Sequence, residues 1–170
     1  MTDKPRHRAI DAEFFQTILA SGKGQTHTVS LNGPMSLYRF GRVNFGEPQC
    51  WFDETLYQAA RGKALRESEA GGVYGDAFRQ VVREACAVSL DWNDFAIFNA
   101  MHLPGDVTIW AFESRIATQP YLQHESFRRA GKAVPSGMRQ LKGGARQFWL
   151  FPIPGWTATT PNFVKRDIGT

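Results

Sequence analysis

The sequence predicts an α+β fold, with a mixed and largely antiparallel sheet core and helices packed around it. Two observations carry this prediction. Apolar residues recur at helical spacing mainly in the first half of the chain, in segments that end at glycines. Alternating and fully apolar runs bounded by turn residues dominate the second half. The chain has 170 residues, 42% of them hydrophobic and 13% aromatic, enough to bury a core as one domain.

Residues 9–21 read as a helix with Phe14, Phe15, Ile18 and Leu19 on one face and Gly22 as its stop. The stretch THTVSLNGPMSLYRFGRV then reads as two short strands around an Asn32-Gly33-Pro34 turn. A second helix starts at Asp53 as N-cap and runs through Leu65, burying Leu56, Tyr57 and Ala60. Gly71 and Gly72 break the chain. A third helix over 76–89 places Phe78, Val81, Val82, Ala85 and Cys86 at core spacing and turns Arg79 and Arg83 outward. DFAIFNAMHLPGDVTIWAF reads as two strands joined at Pro104-Gly105-Asp106, central in the sheet because both faces are apolar. Residues 114–142 are polar and loop-like, a connection of the length usually reserved for binding or catalysis. The final strand carries Gln147, Trp149 and Phe151 on one face and Phe148 and Leu150 on the other, so the sheet core spans 26–151.

Charge excludes little. The 20 Lys and Arg against 16 Asp and Glu leave a net +4, which suits a phosphate-bearing ligand or an acidic protein partner. The basic clusters Arg128-Arg129 with Lys132, Arg139/Lys142/Arg146 and Lys165-Arg166 are short and scattered, unlike a nucleic-acid footprint. Cys50 and Cys86 lack metal-ligand spacing and are read as reduced and structural. His7, His27, His102 and His124 are dispersed, so no metal site is expected. No P-loop or GxGxxG fingerprint occurs. The start MTDKPRHRAIDAEFFQ has no apolar h-region, and no run reaches the roughly 18 apolar residues of a membrane span, so a soluble protein without a secretory signal peptide is expected.

Three stretches bear chemistry. In LYRFG, Arg39 stands between aromatics on a strand that ends at Gly41, where a guanidinium fork can take a phosphate or stack on its neighbours. In CWFDE, Trp51 and Phe52 precede the Asp53 cap, placing two large rings at a strand-to-helix junction as pocket wall or core filling. In LKGGARQFWLF, Gln147 interrupts an apolar run shortly after Gly143 and Gly144. An amide there can orient a hydroxyl or water without charge, and the glycines can let backbone approach a ligand. An edge-strand glutamine after a glycine turn is the plainer alternative. Glu113, at the end of an earlier strand, is a further candidate carboxylate or a solvent-facing strand end.

The order of these stretches resembles the ADP-ribosyltransferase-like superfamily, and within it the NAD glycohydrolases of the tuberculosis necrotizing toxin type. The resemblance covers residues 36–150 and rests on Arg39-Phe40-Gly41, on Trp51-Phe52, on TIWAFESRIATQP with Gln119, and on Gly143-Gly144-Ala145-Arg146-Gln147. GEPQCWFDE stands where such toxins usually have Gly-x-Phe-Leu-x-Pro, and the helical stretch 53–90 is longer than theirs. The resemblance implies NAD as substrate. Arg39, Phe40, Gly41, Trp51, Phe52 and Gly144 would bind it, with Arg39 anchoring the pyrophosphate and, together with the Gln147 amide, forming the catalytic pair. It implies hydrolysis to nicotinamide and ADP-ribose in the cytoplasm of a target cell, and an immunity-type protein antagonist in the producer. Transfer of ADP-ribose to a protein or nucleic acid is the nearest alternative. A non-enzymatic binding or immunity protein is the alternative of another class, and a nuclease ranks last.

Overall fold

A computed structural model of the chain describes Gln16 and residues 22–88, 95–120, 140–153, 155–156 and 163–166. The helix read at 9–21 lies outside these residues apart from Gln16, which is helical. In order come β1 (Gly22–Asn32), β2 (Met35–Phe40), β3 (Gln49–Asp53), α1 (Glu54–Glu69), α2 (Tyr74–Ala85), β4 (Phe98–Leu103) and β5 (Thr108–Ile116). The short β6 (Gln119–Pro120) and β7 (Gln140–Leu141) pair with each other, and β8 (Arg146–Leu150) and β9 (Phe163–Arg166) complete the set. The strand read as final is thus followed by another.

Seven strands form one sheet in the order β1-β5-β8-β3-β2-β4-β9. The α+β class holds, but no mixed pairing occurs among the described strands, because each pair is antiparallel. The topology gives the reason. The helical pair carries the chain from β3 to β4 across β2, so the two strands that run parallel are separated by the one that opposes them both.

The sheet folds back on itself. β1 and β2 stand four places apart in the strand order, which in a flat sheet means about 19 Å at an inter-strand spacing of about 4.8 Å. Asn32 and Met35 are joined by three peptide links, about 11 Å at full stretch. Only a curled sheet satisfies both. The Asn32-Gly33-Pro34 turn therefore joins two strands, as the sequence predicts, without pairing them: it steps from one leaf to the other. The 104–106 connection between β4 and β5 does the same, and the two turns meet. The Gly33 amide donates to the Val107 carbonyl at 3.0 Å, and a Cβ on Gly33 would stand 1.6 Å from the Pro104 carbonyl oxygen. Glycine is required there by space.

Alternation along the strands feeds two cores. Leu37 and Trp51 join Leu31, Met101, Ile109 and Phe148 between the leaves. Tyr38, Phe40 and Phe52 point the other way, under the helices, against Ala60, Phe78, Val82 and Phe98. β4 and β5 are apolar on both faces for this reason, and both are interior strands.

Asp53 caps α1 as predicted, its Oδ1 accepting from the Leu56 amide at 3.2 Å, and the helix runs past Leu65 to Glu69 before Gly71 turns left-handed. Ala60 is fully buried, while Leu56 and Tyr57 are partly so. α2 buries Phe78 and Val82. The outward placement predicted for Arg83 is incorrect: that residue is buried against Phe95. It follows Val82 on the same apolar stripe, and its long stem can pass through the core while its head finds an aromatic face. Asp53 also accepts two bonds from Arg146 through Oδ2, at 3.0 and 2.8 Å, tying α1 to β8. Asp53→Ala should lower stability by about 2 kcal/mol, through the lost cap and the two lost bonds from Arg146. Urea unfolding measures this, and an unchanged midpoint would show that neither contact matters.

Candidate functional site

The site grows from the register of three strands. β3 and β8 pair Phe52 with Gln147 and Cys50 with Trp149, while β5 and β8 pair Ser114 with Gln147. Opposed residues share a face, so Cys50, Phe52, Ser114 and Gln147 all point toward the helices. There they meet Val82 of α2, Cys86 just beyond it, and Phe95. A cavity of about 140 Å³ results. Arg39, Phe40, Trp51, Phe52 and Gln147 all border it, but of these only Phe40 and Phe52 share the strand face of Gln147, whereas Arg39 and Trp51 alternate to the other face and the Trp51 ring packs in the core between the leaves. A dry cavity of about 150 Å³ accommodates benzene. This one takes a single ring, whereas a dinucleotide must lie mostly outside it.

A neutral polar chain crosses the cavity wall. The Cys50 thiol donates to Gln147 Oε1 at 3.3 Å, and Gln147 Nε2 donates to Ser114 Oγ at 2.8 Å. In this orientation the thiol and the amide nitrogen both act as donors, and the serine hydroxyl accepts. Gln147 is only 3% exposed and sits on a strand flanked on both sides, not on a sheet edge. Arg39 is anchored by backbone: Nε donates to the Arg42 carbonyl at 3.1 Å and Nη1 to that of Cys50 at 3.0 Å. Neither bond uses Nη2. Burial lowers the Arg39 pKa from its ordinary value, with Cys50 acting in the opposite direction. Burial pushes the Cys50 thiol up to about 12, against a smaller pull from Arg39, so it remains a donor at neutral pH. Asn99, also buried, donates to the Gly41 carbonyl at 2.6 Å and holds the end of β2 where Gly41 turns left-handed.

Charged groups gather on the opposite face of the same seam. Glu113 pairs with Phe148 in register, so it points away from Gln147. Arg146 bridges Asp53 and Glu113, the latter at 3.7 Å, with its guanidinium 5.0 Å from the Phe148 ring centre. Glu113 lies within β5 and is not among the groups lining the cavity.

The two glycines before Gln147 have a packing task. Gly143, at φ +67°, donates to the Glu84 carbonyl, and Ala145 donates to that of Ala85, so the turn closes the C-terminal end of α2. A Cβ on Gly143 would stand 2.6 Å from the Ala117 carbonyl oxygen. The close approach made by this stretch is therefore to the protein's own backbone, and Gly144, bonded to Ile116, is absent from the cavity lining. Of the remaining binding residues suggested by sequence, Gly41 shapes the strand end, whereas Phe40 and Phe52 are walls. Sequence reasoning missed Cys50, Ser114 and Phe95 as neighbours of the amide. Cys50 and Ser114 flank the recognised stretches, but their register is set by long-range pairing. Both cysteines are free. Among the described residues no cluster of three or more His, Cys, Asp and Glu is placed to hold a metal ion, and no helix is long and apolar enough to cross a membrane.

No protein-family profile matches the chain, and no curated protein matches it. Among solved structures it is similar to Rhs1-CT in complex with its cognate immunity protein RhsI1. That match has 15% identity and a TM-score of 0.47, covering 92% of this chain and 91% of that one. A likeness this distant decides neither family nor activity.

The cavity thiol carries a pH dependence. Below pH 9.0 the folded and unfolded chains both hold the Cys50 proton. Between 9.0 and about 12 the unfolded chain releases it while the fold retains it, so stability falls as pH rises. Cys86, also raised by burial, acts in the same direction. Unfolding midpoints measured across this window should decline, and Cys50→Ala should flatten the decline. An equal slope in that variant would remove Cys50 as a source.

Proposed function

We propose that the protein hydrolyses NAD to nicotinamide and ADP-ribose. The observation supporting this reading is that Phe40, Phe52 and Gln147, from three separate strands, wall one ring-sized cavity that Arg39 also borders. The nicotinamide ring enters the cavity, with ribose and pyrophosphate at its mouth. The bond between ribose C1′ and the ring nitrogen breaks, and its electron pair passes to that nitrogen. The ring arrives as a cation and leaves neutral. An apolar enclosure whose polar groups are neutral disfavours a buried cation and accepts the neutral product, which assists departure. Positive charge develops on the ribose, and water adds at C1′ and gives up a proton. Gln147 contributes an oriented dipole beside the reacting end of the ring.

An amide cannot deprotonate a protein nucleophile, so water is the acceptor and hydrolysis is favoured over ADP-ribose transfer. As a toxin, the enzyme requires a protein antagonist in its producer, and the net charge of +4 favours an acidic one.

One observation favours a second reading. The Gln147 amide bonds Cys50 and Ser114, and Arg39 bonds two carbonyls, which is what a purely structural network in a non-enzymatic binding protein would also do. The two readings separate in a nicotinamide-release assay on purified protein. Wild type should release nicotinamide, with free ADP-ribose as the co-product, and Gln147→Ala should lose about 100-fold in kcat while keeping its circular dichroism. Unconsumed NAD in the presence of folded wild type would overturn the enzymatic reading. Label transferred mainly to macromolecules in a lysate would instead indicate a transferase.

A further inference from the structure

Phe95 is the wall of the cavity that the sequence did not reveal. It is 1% exposed and holds φ +60°, a left-handed conformation that bulky residues adopt only when their surroundings impose it. The surroundings here are explicit. The Phe95 ring stacks on Phe40, with centroids 4.1 Å apart and planes 4° from parallel. The Arg83 guanidinium lies 4.3 Å from the ring centre. Arg79 donates through Nε to the Phe95 carbonyl at 3.3 Å.

Arg83 makes a second contact with the same enclosure. Its Nη1 donates to the Val88 carbonyl at 2.9 Å, and the Val88 amide donates back to the Arg83 carbonyl at 3.2 Å. Val88 and Phe95 both line the cavity. One buried side chain, 5% exposed, therefore fixes two walls: one by a hydrogen bond and one through an aromatic face.

We propose that Arg83 is a positioning residue of the ring site, clamping Val88 and Phe95 so that the cavity keeps the shape of a single flat ring. It touches no reacting atom, and the proposal rests on the NAD reading only for the identity of that ring. A wall contacts the ring equally before and after bond cleavage, so the clamp contributes to binding rather than to the chemical step.

The experiment uses the full chain and two readouts: KM and kcat for NAD hydrolysis, and the Kd for nicotinamide alone by titration. Arg83→Met preserves stem and volume but loses the charge and the donors. It should raise KM and the nicotinamide Kd together by about tenfold, with kcat within about threefold of wild type. Arg83→Lys keeps a cation over Phe95 and a donor for Val88, and should recover most of the loss. If Arg83 only supports the fold, both variants will melt earlier and show a smaller active fraction at unchanged KM and Kd, which overturns the clamp. Should wild type bind nicotinamide yet leave NAD intact, the NAD reading fails and the Kd shift alone decides the clamp. If folded wild type binds no nicotinamide and hydrolyses no NAD, both proposals are overturned.

Discussion

The antiparallel seam between β3 and β8 is the constraint on which the rest of this structure depends. It lies midway along the strand order between the β1–β5 and β2–β4 pairs, and its register decides which side chains look toward the helices. With Phe52 opposite Gln147, the amide enters the cavity beside Cys50 and Ser114. A slip of one residue would put Arg146 or Phe148 there and turn the amide into the core between the leaves. Both ends of the seam are secured. Asp53, the last residue of β3, caps α1 and holds Arg146 at the start of β8, while Gly143 and Ala145 fasten the approach to β8 against the end of α2.

That seam also sorts polarity. One face carries the ionic set Asp53, Arg146 and Glu113, partly open to solvent, where a bidentate guanidinium can be satisfied at modest desolvation cost. The other carries a thiol, an amide and a hydroxyl inside an apolar enclosure, where hydrogen bonding without charge avoids the cost of burying an ion. Adjacent residues Arg146 and Gln147 belong to different chemical environments because a strand alternates. Glu113 falls on the ionic side for the same reason, and this register is the physical argument separating it from the cavity.

Local signals in the sequence were legible wherever local chemistry decides structure. The Asp53 cap, the stop at Gly71, the strands around Asn32–Pro34 and the doubly apolar β4 and β5 all follow from propensity and periodicity. Partnership between strands was not legible, because it is set by loop closure across the whole chain. The turn at 33 and the turn at 104–106 look like hairpin turns but step between leaves. Arg83 was misplaced because a helical wheel scores arginine as polar, whereas its stem and planar head suit a slot above Phe95. Gln147 was singled out because it interrupts an apolar run, but Cys50, which holds the amide, was read only as a structural thiol.

The amide at position 147 then has a physical rationale. A carboxylate there, almost fully buried beside a thiol that stays protonated and a hydroxyl, would carry the cost of burying a charge, and the adjacent Arg146 is committed to Asp53 on the other side of the strand. It would be driven toward protonation and lose the charge for which a carboxylate is normally used. Glutamine keeps the size and the acceptor without that penalty. The cavity therefore sets neutral polar groups in an apolar enclosure, which favours a neutral ring over a charged one. On the proposed reading this difference is the driving force the fold supplies, and it arises because the register places an amide where the adjacent position carries a charge.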